Sequence, residues 1–132
     1  AYQRGIERLP NDPLLLNNYG VALRSARRYE ESINVLETAG KIKPHDPEIV
    51  RNLAIATRGA ERYREAVPLY VEAIGLNGKD SGLLFDLAVC YEKLGKTNAA
   101  IATYEKYIAA TKKSDPAAAK RTQSTVDRLK KQ

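Results

Sequence analysis

The segment Lys43-Pro44-His45-Asp46-Pro47, KPHDP, holds the only histidine of the chain, set beside an aspartate and between two prolines. An imidazole titrates near neutral pH and a carboxylate can orient it, so the pair has the ingredients of proton transfer. Thirty-four residues earlier stands Leu9-Pro10-Asn11-Asp12-Pro13, where Pro10, Asp12 and Pro13 match Pro44, Asp46 and Pro47 while Asn11 replaces His45. Thirty-four residues later, Asn77-Gly78-Lys79-Asp80-Ser81 keeps the acid and exchanges the prolines for Gly and Ser. The histidine is a variable letter in a recurring turn, and the period decides the fold.

The same shift aligns the segments between the turns. Leu16, Val50 and Leu84 correspond, as do Tyr19, Leu53 and Leu87, then Gly20, Ala54 and Ala88. Later in each unit Ser32, Ala66 and Ala100 correspond, followed by Leu36, Tyr70 and Tyr104. Apolar residues at helical spacing predict two short helices per unit. Asp12, Asp46 and Asp80 suit the start of the first helix, and Pro13 and Pro47 its first turn, where a missing N–H costs nothing. The second helix is expected to stop at Pro44 in unit one and near Gly75–Gly78 in unit two. Small residues at Gly20 and Ser32, Ala54 and Ala66, and Ala88 and Ala100 mark where the two helices of a unit cross closely.

These residues resemble the tetratricopeptide repeat, whose signature places a large residue, Leu-Gly and Tyr in the first helix, then Ala, an aromatic and Pro in the second, over 34 residues. With Pro13, Pro47 and Ser81 as position one, most anchor positions match; the departures are Leu16, Val50 and Leu84 for Trp, Thr57 for the first-helix Tyr, and Lys112 for a closing Pro. The resemblance implies an all-α, right-handed superhelical solenoid of antiparallel helix pairs. Residues 1–11 read as the second helix of a truncated repeat, with Tyr2 in register with Tyr70 and Tyr104. Repeats at 12–46, 47–80 and 81–114 follow within a single domain, which suggests a piece of a longer array. Asp115-Pro116-Ala-Ala-Ala opens a further helix over 115–132, whose stripe Ala118, Thr122, Val126 and Leu129 suits a terminal cap.

Composition narrows the function classes. The chain has 132 residues, 43% hydrophobic, and no run of about 18 apolar residues that could cross a membrane. One cysteine, Cys90, and one histidine leave neither a disulfide nor a Cys/His zinc site, and no cofactor is implied. No methionine and no signal peptide are present, so any targeting signal is expected outside this chain; cytoplasm and bacterial periplasm both fit. Net charge is +6, of which residues 112–132 carry +5 and the body +1, so pI alone does not argue for nucleic acid.

Enzymatic readings find little support. Gly75-Leu-Asn-Gly78-Lys79-Asp80 is not a phosphate loop, because Asp80 stands where Ser or Thr should hold magnesium and no glycine lies five residues before Gly78. Cys90 lies mid-helix beside Ala88 and Tyr91 with no histidine in register, which reads as a buried, inert thiol. No catalytic residue is assigned, and His45 reads as a turn residue.

In the resembled family the first helices line the concave surface, through positions two, five, nine and twelve. Here those are Leu14, Asn17, Val21 and Arg24; Glu48, Arg51, Ile55 and Arg58; and Gly82, Phe85, Val89 and Glu92. The candidate partner-binding set is Asn17, Val21, Arg24, Arg51, Ile55, Arg58, Phe85, Val89 and Glu92: an apolar line rimmed by arginines, suited to a protein or peptide with apolar side chains and a few acids. Phe85 is read either as a core contact or as an exposed aromatic anchor. The family's two-carboxylate clamp for chaperone C-terminal tails needs Lys, Asn, Asn, Lys and Arg where this chain has Asn17, Val21, Asn52, Gly82 and Asp86. Only Asn52 fits, and Asp86 would repel a carboxylate, which argues against that ligand. The expected function is an interaction scaffold without catalysis. Its alternatives are a basic 112–132 helix binding nucleic acid or an acidic surface, and a structural module that self-associates through its truncated N-terminal end.

Overall fold

The computed structural model describes residues 11–132, and among them the fold is entirely helical. Seven helices follow one another: α1 (Pro13–Ser25), α2 (Tyr29–Ile42), α3 (Pro47–Gly59), α4 (Tyr63–Leu76), α5 (Ser81–Lys93), α6 (Thr97–Thr111) and α7 (Pro116–Lys130). The half repeat read at 1–11, with Tyr2 and Pro10, lies outside the described residues but for Asn11.

The recurring turn works as an N-cap. Asp12, Asp46, Asp80 and Asp115 each precede an odd-numbered helix and accept hydrogen bonds from its first free amides, with Pro13, Pro47 and Pro116 at the opening position of three of them. His45 belongs to this turn: its φ is +60°, and its exposed ring meets Glu72 of α4 at 2.8 Å from Nδ1. The even-numbered helices start differently. Arg28, Arg62 and Lys96 precede them without a side-chain cap, and the residues one step earlier, Arg27, Glu61 and Gly95, all adopt left-handed φ between 61° and 75°. There the chain closes the preceding helix by bonding Arg28 N–H to Leu23 O, Arg62 N–H to Thr57 O and Lys96 N–H to Tyr91 O. α4 runs through Pro68 at an exposed position, where the ring lacks the N–H that would otherwise pair with the Arg64 carbonyl.

Helices of one unit cross at the small residues. Ala54, Ala66, Ala88 and Ala100 are fully buried, and in unit one the Ser32 hydroxyl donates to the Gly20 carbonyl at 2.6 Å. The approach at Gly20 is close: a Cβ there would lie 2.5 Å from Leu36 Cγ and Cδ2. Three of the four core clusters draw on three consecutive helices and the fourth on α2 and α3, so apolar packing runs across the seams between units. Leu16, Ala39 and Ile49 join α1 to α3; Val50, Ala54, Tyr70, Leu83 and Leu87 join α3 to α5. α7 closes the stack by burying Ala118, Thr122, Val126 and Leu129 against α6 and α5. No helix among the described residues is long and apolar enough to cross a membrane.

Candidate functional site

Each helix packs mainly on the next, and α1, the first helix of unit one, also touches α3, the first helix of unit two. Val21, Ile55 and Val89, one per unit, are half-buried, with Ile55 and Val89 leaning on the core clusters. Around them the polar side chains bond mostly to one another. Position twelve of each unit reaches across: Arg24 Nη1 donates to Asn52 Oδ1 at 3.4 Å, Arg58 Nη2 lies 3.6 Å from Asp86 Oδ1, and Glu92 accepts from Arg128 of α7 at 3.1 Å.

The second-helix tyrosines complete this pattern. Tyr70 Oη accepts from Arg58 Nε at 3.2 Å and donates to Asp86, while Tyr104 Oη donates to Glu92 at 2.9 Å. Burial, with the nearby carboxylates, pushes both phenols well above the ordinary tyrosine range. Asp86 is also raised by burial, against the opposing pull of Arg58. Burial works against the charge on Arg58, yet Asp86 and Tyr70 hold its pKa above the usual value. Arg24 goes the other way: burial and the neighbouring Arg51 lower its pKa.

These contacts revise the expected arginine rim. Arg51 donates from Nε to Asp80 at 3.1 Å and from Nη1 to Asn52 at 3.3 Å, and Arg58 is held by Asp86, so both are largely neutralised inside the protein. Arg24 alone among the inner guanidinium groups has no carboxylate partner among the described residues. Asn17 does not offer the open amide expected of it. It is 5% exposed, accepts from Asn52 Nδ2 at 3.0 Å, and shows only an edge in a shallow depression beside Pro13, Leu14 and Glu48. Its carbonyl is drawn inward because Asn52 needs an acceptor where α1 and α3 meet.

Phe85 lies between the two readings given to it. At 38% exposure it presents one face outward, while its ring stands edge-on to Tyr104 and Tyr107 at centroid distances of 5.6 and 5.2 Å. With Tyr107, Arg121, Thr122 and Thr125 it lines a depression between α6 and α7. Leu14 is 68% exposed at the rim, and Glu48 and Gly82 are exposed as well. Sequence reasoning missed Asn52 as the meeting point of three side chains and Tyr70 and Tyr104 as polar anchors; the signal was present in the register of positions six, twelve and twenty-four.

Nothing in this arrangement resembles an activated nucleophile. Burial pushes the fully buried Cys90 thiol up to about 11. Among the described residues no three His, Cys, Asp or Glu side chains gather as metal ligands would.

Comparison with known proteins agrees with the repeat. Tetratricopeptide-repeat family models match residues 58–123 and residues 1–34. No curated protein matches in sequence. Similar solved structures include a crystal structure of MamA, with TM-score 0.81, 21% identity, and coverage of 99% of this chain and 80% of that one. The Yersinia enterocolitica type III secretion chaperone SycD, solved with a peptide of the translocator YopD, superposes with TM-score 0.78 at 15% identity over 87% of this chain and 89% of its own. PcrH, solved with the chaperone binding region of PopD, gives TM-score 0.77 at 15% identity over 87% and 88%. The 34-residue period, the helix pairs stacked on small residues and the family match lead to one assignment: the chain belongs to the tetratricopeptide repeat family.

Proposed function

We propose that the protein is an interaction scaffold that binds a partner peptide or helix along its inner face and performs no catalysis. The observation that carries this reading is the line Val21, Ile55 and Val89, one half-buried aliphatic side chain per unit on the side where the first helices meet, edged by polar groups already bonded to one another. Such a line gives an amphipathic segment apolar contact without a charged competitor in its path. The structural likeness to SycD and PcrH, both solved with segments of translocator proteins, supports the same mode. Arg24, Arg51, Phe85 and Glu92 flank that line.

The 112–132 helix as a nucleic-acid or acidic-surface binder has less in its favour, because Arg128 and Lys130 are engaged by Glu92 and Glu105 and the apolar stripe of α7 is turned inward.

A random peptide-display library selected on the immobilised protein tests the proposal. Enriched sequences should carry spaced apolar residues, and their affinity should fall about tenfold or more in Val21→Ser and Val89→Ser, as expected for losing apolar anchors. No enrichment, or affinities indifferent to both substitutions in variants with native circular dichroism, would refute it.

A further inference from the structure

The three seams of the stack use one contact with different chemistry. Position twelve of a unit always faces the next element. At the second seam an arginine meets an acid, Arg58 with Asp86; at the third an acid meets an arginine, Glu92 with Arg128. At the first seam Arg24 meets only the amide of Asn52, the residue 34 places before Asp86. Unit one also lacks the phenol that steadies position twelve elsewhere, since Leu36 stands where Tyr70 and Tyr104 bond to Arg58 and Glu92.

Two cations therefore converge on one neutral atom. Arg24 Nη1 and Arg51 Nη1 lie 3.4 and 3.3 Å from Asn52 Oδ1, and Asp80 answers only the second guanidinium. An amide oxygen carries part of the charge of a carboxylate, so the seam keeps an uncompensated positive charge that the equivalent Asp86 cancels one unit later. Arg24 is half-buried, which strengthens its attraction for an anion relative to an exposed arginine.

We propose that the open seam between the first two units is a carboxylate site, in which Arg24 receives the side-chain carboxylate of an aspartate or glutamate borne by a segment lying in the groove. This rests on the groove reading above and names the chemistry of its occupant. A side-chain carboxylate leaves the occupant's backbone free to continue past Leu14 in one direction and along Ile55 and Val89 in the other. The site differs from the two-carboxylate clamp of chaperone-tail binders, which requires cations at positions that here hold Gly82 and Asp86.

The test is a titration of the full chain, labelled at arginine Nε and at valine and isoleucine methyls, with the blocked peptide acetyl-Leu-Ala-Glu-Ala-Leu-amide, read by NMR. The Arg24 Nε–Hε signal should shift saturably, with affinity about fivefold or more above that for the glutamine analogue, the scale of a charge-assisted contact that is partly shielded from water. Asn52→Asp, which builds the acid of the second seam into the first, should abolish this preference; Asp86→Asn should bring Arg58 into the response. Arg24→Gln should lose the preference without relying on any repacking at Asn52. Equal binding of the two peptides, with Val21, Ile55 and Val89 methyls moving, would overturn the carboxylate site and leave the groove standing. Absence of any shift at Arg24 would overturn the site, while the library selection judges the groove separately. If the glutamine analogue with a free C-terminus acts like the glutamate peptide, a chain terminus is the ligand and the side-chain assignment fails.

Discussion

Gly20→Ala is expected to destabilise the protein although it replaces the poorer helix former with the best one. The new methyl would lie 2.5 Å from two carbons of Leu36, a residue with no exposure, so neither partner can yield into solvent. Overpacking of this kind costs about 1–3 kcal/mol, and contact with both the branch carbon and a terminal methyl places it in the upper half of that range. Helix propensity returns about 1 kcal/mol, which leaves a net loss of about 1–2 kcal/mol. For a chain of this length that corresponds to about 3–8 °C in melting temperature. Units two and three carry Ala54 with Tyr70 and Ala88 with Tyr104, so a flat ring tolerates the methyl that a branched Leu does not. Gly20→Ala combined with Leu36→Tyr should therefore recover at least half of the loss. Urea unfolding followed by circular dichroism at the helix band measures both variants. A single variant as stable as the parent, or a double variant no better than the single, would refute the steric reasoning.

Two further outcomes follow from the turns. The Ile49 amide, aided by Lys43, holds the Asp46 carboxyl below its ordinary value, so its contribution exists above the usual carboxylate range and disappears as pH falls through the lowered value. Asp46→Ala should thus cost about 1 kcal/mol at pH 7, the usual worth of an N-cap, and progressively less in urea melts taken towards pH 3. Glu61 adopts the left-handed φ that Gly95 adopts in the next unit. Glu61→Gly should stabilise by up to about 1 kcal/mol and Gly95→Ala should destabilise by a similar amount, as thermal melts will show.

The helices were legible because their signals are local and recur: a capping Asp, a Pro at the first position, a small residue at each crossing. The inner face was legible only as a set of outward-pointing positions. Arg58 and Arg51 looked available because each lies far in sequence from the acid that neutralises it, Asp86 and Asp80 respectively, and composition along one helix does not reveal a partner on the next. Asn17 looked exposed for the same reason: its burial is made by Asn52, 35 residues away. Phe85 could not be assigned because its neighbours Tyr104 and Tyr107 come from the other helix of its unit. Comparing units position by position, instead of reading each helix alone, recovers the seam contacts.

That each helix packs almost wholly on its immediate neighbours has a consequence for how such chains diversify. Duplicating residues 47–80 in tandem adds a complete layer without disturbing the layers beyond it, but the new joint is not a copy of either old one. Arg58 of the first copy would face the duplicate of Asn52, since Asp86 now follows only the second copy. Recombination of whole units can therefore create or erase an unbalanced charge at a joint without changing a single codon within any unit.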